Sequence, residues 1–101
     1  MRAVSVHDLK AVIDSGDALV VDVREPWEYA EGRVPGAVLM PLATVPARVG
    51  ELPADRAVYL VCAVGGRSGQ AAAYLSRLGV DAVNVDGGTD AWRAAGYSVE
   101  H

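Results

Sequence analysis

The chain has very few of the residues that usually activate or replace a reactive thiol. Among its 101 residues there is one cysteine, Cys62, and there are two histidines, His7 and His101. One cysteine cannot form a disulfide within the chain, so the protein does not require an oxidising compartment. Both histidines are remote from Cys62 in sequence, which disfavours a cysteine–histidine pair and a zinc site. We therefore expect no metal, and an activated thiol would need other groups.

The chain also lacks an excess of basic residues and lacks any long apolar run. Its net charge is -4, which argues against nucleic acid and against an anionic membrane as partners. No run is long enough to span a bilayer, and residues 1–5 lack the apolar core of a signal peptide. A cytoplasmic location is therefore expected. The length and the hydrophobic fraction of 51% predict a single domain, residues 1–101, with one core.

Short apolar runs alternate with helical patterns along the chain. Apolar runs bounded by turn residues predict buried strands at residues 18–21, 38–40, 57–61 and 81–85. Helical spacing, caps and prolines predict helices at residues 6–13, 26–31, 46–52, 70–78 and 89–95. Because strands and helices alternate, we predict an α/β fold with an open, mainly parallel sheet and helices on both faces.

The most informative stretch is the one that leads from a predicted strand through Cys62 into a predicted helix. Ligand sites in open α/β sheets lie beyond the carboxyl ends of strands, and Cys62 stands at such an end. The N–H groups at Gly65 and Gly66, the start of the helix and Arg67 would each stabilise a thiolate or a bound anion. A lone cysteine is often only a buried hydrophobe, and Arg67 is alternatively a loop brace or a surface charge. The coincidence of strand end and positive surroundings favours a reactive thiol.

Three separated motifs resemble motifs of the rhodanese family, which includes single-domain sulfurtransferases. The family's active-site loop is similar to Cys62-Ala63-Val64-Gly65-Gly66-Arg67-Ser68. Its upstream motif resembles Val21-Asp22-Val23-Arg24, then Glu28-Tyr29, then Gly32-Arg33-Val34-Pro35-Gly36-Ala37. Its closing motif resembles Gly87-Gly88-Thr89-Asp90-Ala91-Trp92. With this order and spacing, the resemblance covers nearly the whole chain and implies one rhodanese-like domain.

The resemblance implies that Cys62 is catalytic. In this family the cysteine attacks the outer sulfur of a donor such as thiosulfate or a persulfide. It holds that sulfur as a covalent persulfide and passes it to a thiol or to cyanide, so neither a metal nor an organic cofactor is implied. The substrate-binding loop implied by the resemblance is Ala63, Val64, Gly65, Gly66, Arg67 and Ser68. The supporting residues implied are Asp22, Arg24, Glu28 and Arg33.

The supporting residues are expected to differ in what they do. Asp22 and Arg24 are interpreted as structural support for the site. Glu28 either braces the loop or is simply solvated on a short helix. Arg33 is expected near the donor, where it would add to the positive charge of Arg67.

The length and the composition of the loop help to distinguish sulfur transfer from other functions that related loops perform. Related phosphatases and arsenate reductases use a loop one residue longer, whereas four residues separate Cys62 from Arg67 here. The shorter loop offers fewer donors to a tetrahedral oxyanion and so favours sulfur over phosphate. Efficient thiosulfate users often have basic residues where Ala63 and Val64 stand, so a small persulfide or a partner protein's persulfide is an equally good expectation. The alternatives are a persulfide carrier in a relay and a non-catalytic interaction module, and the intact loop argues against the module.

Overall fold

The core of the molecule is one five-stranded parallel sheet. A computed structural model describes all 101 residues, with strands β1 (Arg2–Val4), β2 (Leu19–Asp22), β3 (Val38–Leu39), β4 (Val58–Val61) and β5 (Ala82–Val85). The strand order is β1-β5-β4-β2-β3, and every pairing is parallel. The predicted α/β fold is confirmed, and β4, which leads into the cysteine, is the central strand.

Each strand is followed by a helix, namely α1 (Val6–Asp14), α2 (Pro26–Ala30), α3 (Val45–Arg48), α4 (Gly66–Arg77) and, after the last strand, α5 (Gly88–Ala94). The start of α1 is a capping box, in which the Ser5 hydroxyl accepts from the Asp8 N–H and the Asp8 carboxylate accepts from the Ser5 N–H. None of the helices combines the length and the apolar character needed to cross a membrane.

Apolar side chains fill both faces of the sheet, because successive residues of a strand point to opposite sides. On one face Val21 of β2 and Leu60 of β4 pack with Leu75 of α4. On the other face Val61 of β4 packs with Trp92 of α5. Cys62 belongs to the first of these clusters. The helices α4 and α5 therefore cover the sheet from opposite sides, and both begin next to the end of β4.

Three elements differ from the prediction. Strand β1 was not predicted, because three residues at the sheet edge, one of them the exposed Arg2, form no apolar run. Helix α4 begins at Gly66 rather than at residue 70. The predicted start was too late because the glycine-rich first turn has low helix propensity. The helix predicted at 46–52 is a series of short turns in which α3 lies between the 3-10 segments Leu42–Thr44 and Val49–Glu51.

Candidate active site

Cys62 lies where β4 leaves the sheet, with its side chain covered by the loop that follows. The residue after β2, Val23, donates its N–H to the carbonyl of Val61 at 3.0 Å, so the ladder between the two strands continues up to the cysteine. Cys62 itself is only 1% exposed. Its thiol therefore sits at the carboxyl edge of the sheet, as predicted, beneath the loop rather than at its open surface.

The loop directs hydrogen-bond donors at the sulfur. The Gly65 N–H donates to Cys62 Sγ at 3.1 Å, and Ser68 Oγ lies 3.3 Å from the same atom. Gly65 has a φ of +113°, in the left-handed region, so the tight turn depends on glycine at this position. Burial raises the pKa of the Cys62 thiol, but the hydrogen bonds from Ser68, Gly65 and the Val64 amide together outweigh burial and lower the pKa. The thiol is thus made more acidic without a histidine.

Asn84, in the middle of β5, holds the Ser68 hydroxyl beside the sulfur. The Asn84 Nδ2 atom donates to the Asp86 carboxylate at 3.1 Å and to the Gly65 carbonyl at 3.3 Å. Both partners only accept hydrogen bonds, so Asn84 Oδ1 is assigned to the side facing Ser68 Oγ, 2.6 Å away. The Ser68 hydroxyl has a single proton to donate, and Asn84 Oδ1, Cys62 Sγ and the Gly65 carbonyl all lie within its reach. No motif indicated Asn84; its only signal in the sequence is a polar residue inside an apolar strand.

Replacing Ser68 with alanine is expected to make the Cys62 thiol less acidic. The variant loses one hydrogen bond to a charged acceptor, the thiolate. At a pH below the midpoint of the alkylation curve, the rate at which iodoacetamide alkylates Cys62 should therefore fall about tenfold. The measurement is the pH dependence of the alkylation rate. Ser76→Ala, on the same helix two turns further on, is the matched control, and an unchanged midpoint in Ser68→Ala would contradict this role.

Arg67 is held by Glu28 in a two-pronged ion pair. Its Nη1 and Nη2 atoms donate to the two Glu28 carboxylate oxygens at 2.6 and 2.8 Å. Glu28 also accepts from the Glu25 N–H at 3.0 Å. The hydrogen bond from Arg67 is the main reason that the pKa of Glu28 falls to about 2, so the pair stays ionised far below neutral pH. Of the two interpretations of Glu28, the structure shows the one in which Glu28 braces the loop, through Arg67. The negative charge of Glu28 also offsets the positive charge of Arg67 beside the loop.

A second arginine–carboxylate pair, Arg24 with Asp22, is almost fully buried behind the first. Arg24 Nη2 lies 2.8 Å from Asp22 Oδ2, and Arg24 Nε lies 3.0 Å from Oδ1. The Arg24 backbone N–H also donates to the Asp22 carboxylate, and Nη2 donates to the Gly32 carbonyl at 2.9 Å. These contacts fix the turn between β2 and α2, and hence the position of Glu28, which lies on α2.

Arg33 does not reach the place expected for it. Its guanidinium lies over the Tyr29 ring, 4.2 Å from the ring centre, and donates to the Tyr29 carbonyl at 3.2 Å. Arg33 Nε is 3.5 Å from the Glu100 carboxylate, and the backbones of Arg33 and Glu100 exchange two hydrogen bonds. This isolated bridge draws Arg33 to the carboxyl-terminal segment, so the expectation that it adds charge beside Arg67 is not supported.

Two cavities flank the Arg67–Glu28 pair. One, of about 290 Å³, is lined by Val23, Glu25, Leu42, Ala43 and Arg67. The other, of about 150 Å³, is lined by Arg24, Trp27, Glu28, Glu31, Ala63, Asp90 and Arg93. Exposed apolar side chains stand close by, since Trp27 is 64% and Val64 is 66% exposed. The surroundings of the loop are therefore partly apolar, and a small donor has room on either side of the ion pair.

Known proteins share the sequence pattern and the fold of this chain. A family model for the rhodanese-like domain matches residues 5–95. A sulfurtransferase of Allochromatium vinosum is 42% identical over 87 residues, covering 85% of this chain and 81% of that protein. The crystal structure of a rhodanese-like domain protein from Staphylococcus aureus is 36% identical, with a TM-score of 0.88 and coverage of 100% of both chains. The human single-domain sulfurtransferase TSTD1 is 28% identical, with a TM-score of 0.84 and coverage of 93% of this chain and 96% of that one. The chain therefore belongs to the family of rhodanese-like domains.

Proposed function

We propose that this protein is a sulfurtransferase that moves a sulfane sulfur from a donor to a thiophilic acceptor through Cys62. Relatives that are named sulfurtransferases support sulfur transfer in general. The observation that carries the proposal is the placement of Cys62 Sγ, which accepts from the Gly65 amide at 3.1 Å with Ser68 Oγ at 3.3 Å. Donors aimed at a sulfur atom stabilise both the thiolate that attacks and the persulfide anion that results.

The proposed reaction has two displacements at sulfur. In the first, the Cys62 thiolate attacks the outer sulfur of the donor and forms a new S–S bond. The bond between that sulfur and the rest of the donor breaks, and its electron pair leaves with sulfite or with a thiolate. In the second, a thiol or cyanide attacks the outer sulfur of the persulfide, and the electron pair of the broken S–S bond returns to Cys62. The sulfur stays covalently bound throughout, so the cycle needs no cofactor.

The electrostatics of the site favour a persulfide over thiosulfate as the donor. Glu28 offsets the charge of Arg67, and Arg33 is engaged with Glu100. Thiosulfate brings two negative charges to this nearly balanced site, whereas a thiol persulfide brings less charge to its reacting end. The exposed Trp27 and Val64 also suit the carbon skeleton of such a donor, or the surface of a partner protein in a sulfur relay.

Turnover with a panel of donors and acceptors tests this function. The purified protein is incubated with thiosulfate, a small thiol persulfide or an alkyl persulfide, and then with cyanide or a thiol. We expect thiocyanate or the acceptor persulfide to form, with higher kcat/KM for the persulfides than for thiosulfate. A protein that takes up sulfur but releases it to no acceptor would be a carrier, and one that takes up none would be an interaction module.

Replacing Glu28 with glutamine is expected to improve the use of thiosulfate selectively. The variant keeps a hydrogen-bonding side chain beside Arg67 but removes the negative charge that repels the donor. At water-like screening this repulsion is about 1 kcal/mol, so kcat/KM for thiosulfate should rise about fivefold. The kcat/KM for an alkyl persulfide, which carries at most one negative charge, should rise less. Asp14→Asn removes the same charge from the exposed surface of α1 and is the control. Equal changes with both donors would show that Glu28 only braces Arg67.

A further inference from the structure

The first turn of α5 is bonded to the backbone of the cysteine loop. The Thr89 N–H donates to the Cys62 carbonyl at 2.8 Å, and the Asp90 N–H donates to the Ala63 carbonyl at 3.0 Å. N–H groups in the first turn of a helix have no partner within that helix. Here two of them are satisfied by consecutive carbonyls of the loop that carries the thiol.

These two bonds determine which way the loop amides point. In a trans peptide the C=O and the N–H lie on opposite sides of one plane, and the chain has no cis peptide bond. The Cys62 carbonyl shares its plane with the Ala63 N–H, and the Ala63 carbonyl shares its plane with the Val64 N–H. Because both carbonyls face α5, both N–H groups face away from it. The Val64 amide is one of the groups that lower the pKa of the Cys62 thiol.

The close approach of α5 to the loop depends on Gly88. A Cβ atom at this position would collide with the Cys62 carbonyl oxygen and would lie 2.6 Å from the Ala63 carbonyl oxygen. The φ of Gly88 is also +58°, in the left-handed region. The two oxygens that a Cβ atom would meet belong to the carbonyls that α5 binds, so any side chain at position 88 must push the helix and the loop apart.

We propose that Gly88 and the first turn of α5 are positioning elements that set the acidity of the Cys62 thiol without touching the sulfur. They do so by turning the amides of the loop away from α5 and toward the site. The proposal concerns the site on which the proposed function rests, but thiol acidity is measurable by alkylation without any sulfur donor. A failure of this inference is therefore distinct from a failure of sulfur transfer.

The first test is Gly88→Ala. The pH midpoint for alkylation of Cys62 by iodoacetamide should rise, and below both midpoints the rate should fall about tenfold, since one hydrogen bond to a charged acceptor is lost. Gly96→Ala is the matched control. Gly96 follows the carboxyl end of the same helix and also has a positive φ, +84°, but a Cβ atom added there would have no atom within 4 Å to collide with. The control should lose stability and keep the midpoint. A midpoint unchanged in Gly88→Ala would overturn the proposal.

A second pair of variants decides the question if Gly88→Ala does not fold. Asp90→Pro removes the N–H that binds the Ala63 carbonyl, and it breaks no bond within the helix because Asp90 lies in the first turn. Asp90→Ala removes the same carboxylate and keeps the N–H. Both variants lose the carboxylate, whose negative charge disfavours the thiolate, so the difference between them reports on the N–H alone. The pH midpoint of Asp90→Pro should therefore lie above that of Asp90→Ala, with an alkylation rate about tenfold lower at low pH. Equal midpoints in the two variants would refute the positioning role of α5.

Discussion

Replacing Cys62 with serine should abolish sulfur transfer from every donor. The serine hydroxyl stays protonated at neutral pH, and its oxygen cannot hold a sulfane sulfur as a stable intermediate. The hydrogen bonds around position 62 come from backbone amides and Ser68, which the substitution leaves in place. We therefore expect a folded protein whose rate of thiocyanate formation equals the uncatalysed rate.

The chain offers a simple background for this variant, because Cys62 is its only cysteine. No second thiol can take over the reaction or be modified in its place. Thermal unfolding of Cys62→Ser, followed alongside the assay, separates a lost nucleophile from a lost fold. Turnover well above the uncatalysed rate in a folded Cys62→Ser protein would contradict the assignment of the nucleophile.

Replacing Asp22 with asparagine is expected to destabilise the protein strongly. The substitution leaves the Arg24 guanidinium, of which 6% of the side chain is exposed, without its counter-charge. Breaking a buried ion pair in this way costs about 3–5 kcal/mol. Domains of this kind are stable by about 5–15 kcal/mol, so the urea midpoint should fall by a large fraction.

Asp81→Asn is the matched control for Asp22→Asn. Asp81 also receives a two-pronged contact from an arginine, Arg2, at 2.9 and 3.0 Å, but both side chains are more than half exposed. Exposed pairs contribute about 0–1 kcal/mol, so this variant should unfold almost as the wild type does. Similar losses of stability in the two variants would contradict the structural role assigned to the buried pair.

The sequence was sufficient for the fold class and for the location of the site, because both depend on local patterns. Apolar runs separated by helical segments predicted four of the five strands, all but β1. A cysteine that follows such a run and precedes two glycines indicated the candidate site. That Glu28 braces the loop was anticipated only as one of two possibilities. Its partner Arg67 was not predicted, since the two residues are far apart in the chain.

What the sequence did not predict depends on contacts between distant segments. Asn84 touches Ser68 only because β5 lies beside β4 in the folded sheet. The bonds from α5 to the loop arise because both elements begin at the same sheet edge, and no spacing within either motif encodes them. Arg33 is the converse case, since a residue inside a family-like motif is drawn to Glu100 instead. In each case the pairing of segments decides the role of the side chain.

The intact mass of the wild-type protein after exposure to a sulfane-sulfur donor tests the central claim most directly. A small thiol persulfide or thiosulfate should raise the mass by one sulfur atom, and subsequent cyanide should return it to the starting value. Fragmentation should place the added sulfur on Cys62. A protein whose mass stays unchanged with every donor would contradict the claim that Cys62 accepts and transfers sulfur.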